Sequence, residues 1–336
     1  MAGAAGAGFV DHGQATGQAD HGGGVDAAVL RWGGARADWI DLSTGINPQP
    51  WPLPDFAPQD WTALPDREAE AAAVLAARAF WGVPDGAAVL AAPGASALIA
   101  RVPALMPALM PAGRVLIPGP TYNEHGRAFG AAGWQAVATG PAEARVLVHP
   151  NNPCGRVWPA EEAAQGLAPG GMLVIDESFC DVMPAASLIG LAARPGVLVL
   201  KSFGKFWGLA GLRLGFVAGD PALVAGLAAM LGPWPVSGPA LRVAAGALAD
   251  EGWAAATRAR LATDAARLDA LMAARGAQFA GGTSLFRLYR VQDARAWHDR
   301  LARARILSRV FPYRADWLRL GLPGSSEGWA RLEAAL

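Results

Sequence analysis

The sequence has 336 residues, of which 53% are hydrophobic, so it is long enough for one large globular domain and a smaller one. Lysine plus arginine total 28 and equal aspartate plus glutamate. No basic cluster alternates with aromatic residues, so we expect neither nucleic acid nor a membrane as a partner. Cys154 and Cys180 have no metal-ligand spacing and are too few for a disulfide framework. We therefore expect no metal site and a reducing, cytoplasmic location.

From the sequence, we expect neither a signal peptide nor a transmembrane helix. Its first residues lack the basic and apolar regions of a signal peptide, and the longest apolar stretch, 95–109, is interrupted by Arg101 and Pro103. Residues 1–24 are rich in glycine and alanine, which predicts a mobile arm that could order on a partner subunit.

From residue 87 onward, unbroken apolar runs alternate with helical stretches. Runs of this length are typical of strands buried on both faces, and the helices between them predict a mainly parallel sheet. The predicted strands are 88–91, 114–117, 146–148, 172–175 and 197–200. The fold class is therefore predicted to be α/β.

The last part of the chain changes in character. The run 214–218 follows its predecessor too closely for a crossover helix and is predicted to be an antiparallel neighbour. A long helical region then precedes a C-terminal unit that contains strand-like 284–288 and 317–320. The predicted organisation is an arm at 1–24, a large domain at 25–238, a linking helical region at 239–275 and a small α+β domain at 276–336.

Lys205 stands in a glycine-rich segment, 202–215, with aromatic residues on both sides. An apolar, partly desolvated environment lowers the pKa of a lysine from its ordinary value of about 10.4 and makes the amine a nucleophile. Ser202 and Arg213 could hold a phosphate through a hydroxyl and a guanidinium. Alone, such a segment more often contains a structural lysine at the buried edge of a glycine-rich turn. The residues that follow the other predicted strands therefore decide the role of Lys205.

In an open α/β sheet, ligands bind beyond the carboxyl ends of the strands. Residues 93–96 offer free amides at a helix start, which suit a phosphate, and Tyr122 offers a ring for stacking. Asn152 offers an amide donor for a phenolate oxygen, and Asp176 could keep a pyridine nitrogen protonated. Each has a structural alternative as a cap, a loop aromatic or a turn residue. Together and in this order along the chain, however, they favour a shared cofactor site over separate structural roles.

The segments 151–155, 176–179 and 202–215 together resemble the pyridoxal-phosphate enzymes with the aspartate-aminotransferase fold. The resemblance extends over nearly the whole chain from His21. It implies a large cofactor domain with a mainly parallel sheet, a small C-terminal α+β domain, the cofactor pyridoxal 5'-phosphate, and a homodimer.

The resemblance also implies a role for each matching residue. Lys205 would be the Schiff-base lysine, Asp176 the partner of the pyridine nitrogen, Asn152 the donor to the ring oxygen and Tyr122 the stacking aromatic. Arg319, within 318–321, matches the arginine that binds the substrate carboxylate. The phosphate would be held by Gly94, Ala95, Ser96, Ser202 and Arg213.

Within that fold, the chain is most similar to the branch of histidinol-phosphate aminotransferases and threonine-phosphate decarboxylases of cobalamin biosynthesis. The segments 21–23, 41–48 and 121–125 resemble the decarboxylases. Two departures weaken the aminotransferase interpretation. Phe179 stands where a tyrosine is common, and Leu64 stands where a tyrosine reaches the neighbouring subunit's phosphate.

The expected activity is decarboxylation of O-phospho-L-threonine to aminopropanol phosphate. The alternative is transamination of a phosphorylated amino compound such as histidinol phosphate. A non-catalytic cofactor-binding regulator is a third possibility, although no basic helix-turn-helix precedes the fold. The residues expected to contact a small phosphorylated amino-acid substrate are His21, Gly45, Asn152, Arg309 and Arg319.

Overall fold

The computed structural model describes residues 21–105 and 113–336. The predicted mobile arm therefore lies almost wholly outside the described residues. The helices are α1 (Val25–Trp32), α2 (Pro58–Thr62), α3 (Arg67–Trp81), α4 (Ala95–Leu105), α5 (Asn123–Ala131), α6 (Pro221–Leu231), α7 (Gly238–Ala249), α8 (Glu251–Ala273), α9 (Ala294–Arg303) and α10 (Ser326–Ala335).

The strands form three sheets. They are β1 (Ile40–Asp41), β2 (Ala88–Ala92), β3 (Arg114–Leu116), β4 (Gln135–Val137), β5 (Ala142–Val148), β6 (Leu167–Asp176), β7 (Val197–Ser202), β8 (Gly215–Gly219), β9 (Gln278–Thr283), β10 (Phe286–Arg290), β11 (Ile306–Leu307), β12 (Arg309–Phe311) and β13 (Arg314–Leu320).

The large sheet has seven strands in the order β2-β8-β7-β6-β5-β3-β4. All neighbouring pairs are parallel except those of β8, which is antiparallel to both β2 and β7. The predicted α/β class, the mainly parallel sheet and the antiparallel strand near 214–218 are therefore confirmed.

Both faces of this sheet are covered, as the unbroken apolar runs require. Along β6, Val174 packs into a core cluster with residues of α4 and α6, whereas Ile175 packs into a second cluster with residues of α3 and α7. Both side chains are fully buried. Each such aliphatic side chain contributes roughly 1.5–3 kcal/mol by leaving water.

The predicted helical region 239–275 is two helices, α7 and α8. Asp250 lies between them, and its carboxylate accepts a hydrogen bond of 2.9 Å from the backbone N–H of Trp253. An aspartate at this position stabilises the start of a new helix by about 1 kcal/mol, which explains the break. The predicted helical region is therefore two helices in the structure, and its role as a link between domains stays a prediction.

The C-terminal part contains a four-stranded antiparallel sheet in the order β12-β13-β10-β9, while β1 pairs with β11 in a short parallel ribbon. The sequence patterns predicted β10 and β13 but not β9, β11 or β12. The division into domains at 238 and 275 stays a prediction. Within the described residues, no helix combines the length and apolar character that crossing a membrane would need.

Candidate active site

Two adjoining cavities open at the carboxyl ends of the large sheet, where ligands bind in folds of this kind. They share Tyr122 and Asn152 in their walls. The inner cavity is lined by all the residues predicted for the cofactor, namely Gly94, Ala95, Ser96, Tyr122, Asn152, Asp176, Ser202, Lys205 and Arg213. The outer cavity is lined by His21, Tyr122, Asn152, Arg309, Phe311, Tyr313 and Arg319, among others.

Lys205 lies in the loop that joins β7 to β8. Its backbone carbonyl accepts a hydrogen bond of 2.9 Å from the N–H of Asn47, and its Nζ lies 5.4 Å from the centre of the Phe179 ring. Burial, together with the nearby Arg319 and Arg213 guanidiniums, lowers the pKa of Lys205 to about 8. A useful fraction of the amine is therefore neutral near neutral pH, as a nucleophilic lysine requires.

Asp176 ends β6 and is buried. Its Oδ2 lies 2.8 Å from Nε2 of His125, and its Oδ1 accepts hydrogen bonds from the backbone N–H and the hydroxyl of Ser178. Burial alone would raise the pKa of Asp176, but the His125 and Ser178 hydrogen bonds outweigh it and hold the pKa below its ordinary value. The carboxylate is thus kept ionised inside the cavity, where it can stabilise a protonated ring nitrogen.

An anion seat lies at the start of α4. Gly94 precedes this helix with φ +87°, a conformation that favours glycine. The first amides of a helix have no intrahelical acceptor, so those of α4 are available to a bound anion. Arg213 approaches so closely that a Cβ on Gly94 would lie 3.0 Å from its Nη2. The seat therefore combines helix amides, a guanidinium and the Ser202 hydroxyl in one cavity.

Asn152 and Arg319 join the inner cavity to the outer one. Arg319 lies in β13, and its Nη1 donates a hydrogen bond to Oδ1 of Asn152 while its Nη2 donates one of 2.5 Å to the Ser43 carbonyl. The guanidinium carbon is 5.2 Å from the centre of the Phe286 ring. These contacts hold a buried guanidinium beside the cofactor cavity, where its planar fork suits a carboxylate.

His21 stands at the rim of the outer cavity. Its Nε2 lies 3.0 Å from Oε1 of Glu124, and its ring centre is 5.8 Å from that of Tyr122. Arg309, in β12, lines the same cavity. The structure thus brings His21 and Arg309, two basic residues predicted to contact the substrate, into one cavity with Arg319.

The profile of the family described as aminotransferase class I and II matches residues 142–332. A threonine-phosphate decarboxylase of a Sinorhizobium species is 42% identical over 94% of this chain and 97% of that one. A threonine-phosphate decarboxylase of Pseudomonas aeruginosa is 43% identical over the same shares of both chains.

The chain belongs to the aminotransferase class I and II family. A crystal structure of histidinol-phosphate aminotransferase from Sinorhizobium meliloti in complex with pyridoxal-5'-phosphate has a similar fold. Its TM-score is 0.76 at 20% identity, with 93% of each chain covered. These comparisons confirm the predicted family and fold, and with the family the predicted cofactor.

The inner cavity fits the cofactor of this family. Pyridoxal phosphate needs an amine, a carboxylate for its ring nitrogen, an aromatic face and a phosphate seat. Lys205, Asp176, Tyr122 and the start of α4 supply these groups around one cavity. The individual roles of the predicted residues stay predictions, although their placement agrees with them.

Of three further positions singled out in the sequence, Gly45 and Leu64 lie apart from this arrangement, whereas Phe179 belongs to it. Gly45 lines neither cavity; a Cβ there would lie 2.8 Å from both the Phe179 and the Phe286 rings, so its backbone packs against this aromatic pair. Its predicted contact with substrate stays a prediction. Phe179 is buried and lines the inner cavity, while Leu64 is 67% exposed.

Sequence reasoning missed the function of His125 and the aromatic wall of the outer cavity. His125 lies in the first turn of α5, three residues after Tyr122, which precedes the helix, and the two ring centres are 6.1 Å apart. That spacing could have indicated a second residue turned toward the cofactor. Phe311 and Tyr313 follow Arg309 along the chain and line the same cavity, but their strand was not predicted.

Proposed function

We propose that this enzyme decarboxylates O-phospho-L-threonine to aminopropanol phosphate with pyridoxal phosphate. The observation that carries the proposal is the gathering of His21, Arg309 and Arg319 in one cavity beside Asn152. A substrate with a carboxylate and a phosphate needs two separate cationic contacts. Relatives that are more than 40% identical over 94% of the chain and are named for this reaction support it further.

The cofactor would be held by residues at the ends of the sheet strands. Lys205 would hold it covalently, Tyr122 would stack on its ring, and the α4 amides with Ser202 and Arg213 would bind its phosphate. When bound, pyridoxal phosphate supplies a protonated ring that accepts the electron pair left on the substrate α carbon. Asp176 would keep the proton at the ring nitrogen, because its carboxylate is buried and its pKa is lowered.

The hydrogen bond from Arg319 to Asn152 fixes the orientation of the Asn152 side-chain amide. A guanidinium can only donate hydrogen bonds, so Oδ1 of Asn152 faces Arg319 and Nδ2 is the group left to donate to the ring oxygen. The same guanidinium would bind the substrate carboxylate. Arg319 therefore places the carboxylate in a fixed position relative to the ring.

The orientation that Arg319 imposes on the substrate would decide which bond breaks. With the carboxylate in the reactive orientation, its bond to the α carbon would break, carbon dioxide would leave, and a proton would take its place on that carbon. Lys205, whose pKa is about 8, could deliver this proton from its ammonium form. If the α hydrogen took the reactive orientation instead, the same lysine would remove it and transamination would follow.

The test is a direct comparison of two reactions. Purified enzyme with pyridoxal phosphate should release carbon dioxide from O-phospho-L-threonine in proportion to aminopropanol phosphate formed. It should form little product from histidinol phosphate with 2-oxoglutarate. The reverse preference would favour the aminotransferase. Activity would place the enzyme in cobalamin biosynthesis, and we propose that it acts in the cytoplasm.

We also propose that the enzyme is a homodimer. A groove beside β2 is lined by Pro65, Pro233, Trp234 and neighbouring residues, and it also includes Ala91 of β2, the strand that leads to the phosphate seat. Trp234 is 59% and nearby Leu64 67% exposed. Large apolar side chains exposed around one groove are typical of a surface that a second subunit covers.

A further inference from the structure

Lys201 and Lys205 are the only lysines in the sequence; every other basic side chain apart from histidine is arginine. Lys205 lines the inner cavity, whereas Lys201 is buried on the opposite face of β7 with a side-chain exposure of 2%. Lys201 is therefore a compact ammonium at a buried position, whereas every basic side chain other than histidine and the two lysines is an arginine. The contacts of Lys201 indicate the role of this ammonium.

Lys201 lies between two buried carboxylates. Its Nζ is 2.5 Å from Oε2 of Glu177 and 3.7 Å from Oδ1 of Asp181. Burial opposes the charge on Lys201, but Glu177 and Asp181 outweigh it and raise its pKa. Burial raises the pKa of Asp181. Lys201, Glu177 and Asp181 therefore form a buried ionic cluster, named here the Lys201 cluster.

Glu177 ties the cluster to the end of β6. It follows Asp176 directly, and its backbone N–H donates a hydrogen bond of 2.9 Å to the Leu200 carbonyl of β7. Successive side chains of a strand point to opposite faces, so Asp176 faces the cavity while Glu177 faces the cluster. Lys201 likewise precedes Ser202, which faces the cavity.

Asp181 ties the cluster to the loop that carries Lys205. Its two carboxylate oxygens accept hydrogen bonds from the indole N–H groups of Trp81, at 2.9 Å, and Trp207, at 3.2 Å. Trp207 follows Lys205 by two residues and is completely buried. Its ring is stacked on that of Phe203, with ring centres 5.3 Å apart.

We propose that the Lys201 cluster is a positioning device that sets the distance between the Asp176 carboxylate and the Lys205 amine. Glu177 directly follows Asp176, and Lys201 directly precedes Ser202. Asp181 contacts the Lys205 loop through its hydrogen bond from Trp207. These three points hold the ring nitrogen, the phosphate and the covalent link of one cofactor. The proposal rests on the family's cofactor and not on the choice of substrate.

An arginine could not replace this lysine. The ammonium fills a small space between two carboxylates, whereas a guanidinium is larger and planar and would push the strand ends apart.

His149 and Cys180 also lie near Glu177. A metal has no place among them, because the His149 ring nitrogens bind the Ala186 carbonyl and the Trp158 N–H.

The experiment measures cofactor binding without any substrate. The dissociation constant of pyridoxal phosphate and the visible absorption maximum of the bound form are determined for the parent, Lys201→Met, Lys201→Arg and Asp181→Asn. We expect Lys201→Met to raise the dissociation constant at least about tenfold, the size usual for a residue that orients a binding group. The absorption maximum of bound pyridoxal phosphate should also shift in Lys201→Met, because the Asp176 carboxylate would no longer be held beside the ring nitrogen.

Two further variants separate positioning from stability. Lys201→Met with Glu177→Gln removes both charges of the shorter ion pair of the cluster, so the double variant should regain part of the melting temperature lost in Lys201→Met yet keep its weak cofactor binding. Asp269→Asn removes a carboxylate that binds Arg287 and Tyr289 in the C-terminal part. It should lower the melting temperature and leave cofactor binding and spectrum as in the parent.

Parent-like binding and spectrum in Lys201→Met, or recovery of both in the double variant, would overturn the proposal. If Lys201→Met does not fold, Lys201→Arg and Asp181→Asn decide by the same two measurements. Because no substrate is used, the result is independent of whether the enzyme decarboxylates phosphothreonine.

Discussion

Nη1 of Arg319 donates a hydrogen bond to Oδ1 of Asn152, and this contact joins the four-stranded sheet to the seven-stranded one at the wall shared by both cavities. The proposed carboxylate-binding residue therefore contacts the proposed partner of the cofactor ring oxygen. Substrate and cofactor would be oriented by one pair of side chains. The choice between decarboxylation and transamination depends on this pair.

Replacing Arg319 by lysine is the sharpest test of that choice. An ammonium cannot reproduce the planar fork of the guanidinium, so the substrate carboxylate would no longer be held in the orientation that favours decarboxylation. We expect decarboxylation of O-phospho-L-threonine to fall about a hundredfold, or ~3 kcal/mol in the transition state, with a larger fraction of turnovers ending in transamination. Arg314→Lys is the matched control, because Arg314 is in the same strand but pairs with Asp316. Equal rates in parent and Arg319→Lys would place the carboxylate elsewhere.

Asp176→Asn should retain the fold and bind the cofactor but lose activity on the order of a thousandfold or more. The amide cannot stabilise a protonated ring nitrogen. Activity and cofactor content are measured together, with Asp85→Asn at a fully exposed position as a control that leaves both unchanged. Parental activity in the Asp176→Asn variant would show that the ring nitrogen has another partner.

Lys205→Ala should abolish the borohydride-reducible link to the cofactor. Peptide mapping after reduction gives a clear answer, since the only other lysine, Lys201, is buried and paired with Glu177. Modification of the peptide with Lys201 in the parent protein would contradict the assignment.

The lowered pKa of Lys205 predicts how cofactor attachment depends on pH. Only the neutral amine attacks, and it predominates above a pKa of about 8. The rate of covalent attachment to the cofactor-free protein should therefore rise with pH, with a midpoint of about 8, and level off above it. Arg319→Met removes a neighbouring positive charge and should move the midpoint upward. A midpoint near the ordinary lysine value of about 10.4 in the parent would contradict the assignment of a desolvated amine.

Trp234→Glu should weaken the proposed dimer by placing a charge in the apolar groove. Sedimentation velocity over a range of concentrations measures the shift from dimer to monomer. Phe279→Glu is the control, because Phe279 is also exposed but lies in β9. A parent protein that is monomeric and fully active at assay concentration would exclude the dimer as the active form.

The sequence was sufficient to predict the large sheet and the inner cavity, because both depend on local patterns. Six of the seven strands of this sheet contain continuous apolar runs, and only the short edge strand β4 was not predicted. Asp176 and Ser202 end two of these strands, and Lys205 follows Ser202 by three residues. Asp176 and Lys205 could be placed for this reason. His125 was missed because its contact with Asp176 depends on how α5 packs across the sheet, which no local pattern states.

The C-terminal sheet was less predictable. Two glycines at the end of β9, Gly281 and Gly282, have positive φ angles and lie against backbone atoms of Cys154 and Phe286. Glycines of this kind usually indicate a turn in a sequence, yet here Gly281 packs against the loop that contains Cys154, and Gly282 packs against strand β10. The short strand β12 likewise lacks an alternating pattern, so Arg309 could be proposed but not placed.

The seven-stranded sheet and its loops carry every residue proposed for the cofactor, whereas Arg309 and Arg319 belong to β12 and β13 of the other sheet. The separation is incomplete at Arg319, which contacts Asn152 and lowers the pKa of Lys205, so a substitution there would disturb the reactive centre as well. Arg309 lines only the outer of the two cavities, so substitutions in β12 would alter which acid is accepted with less effect on the cofactor residues. Engineering or natural divergence toward a new amino-acid substrate would therefore begin in β12.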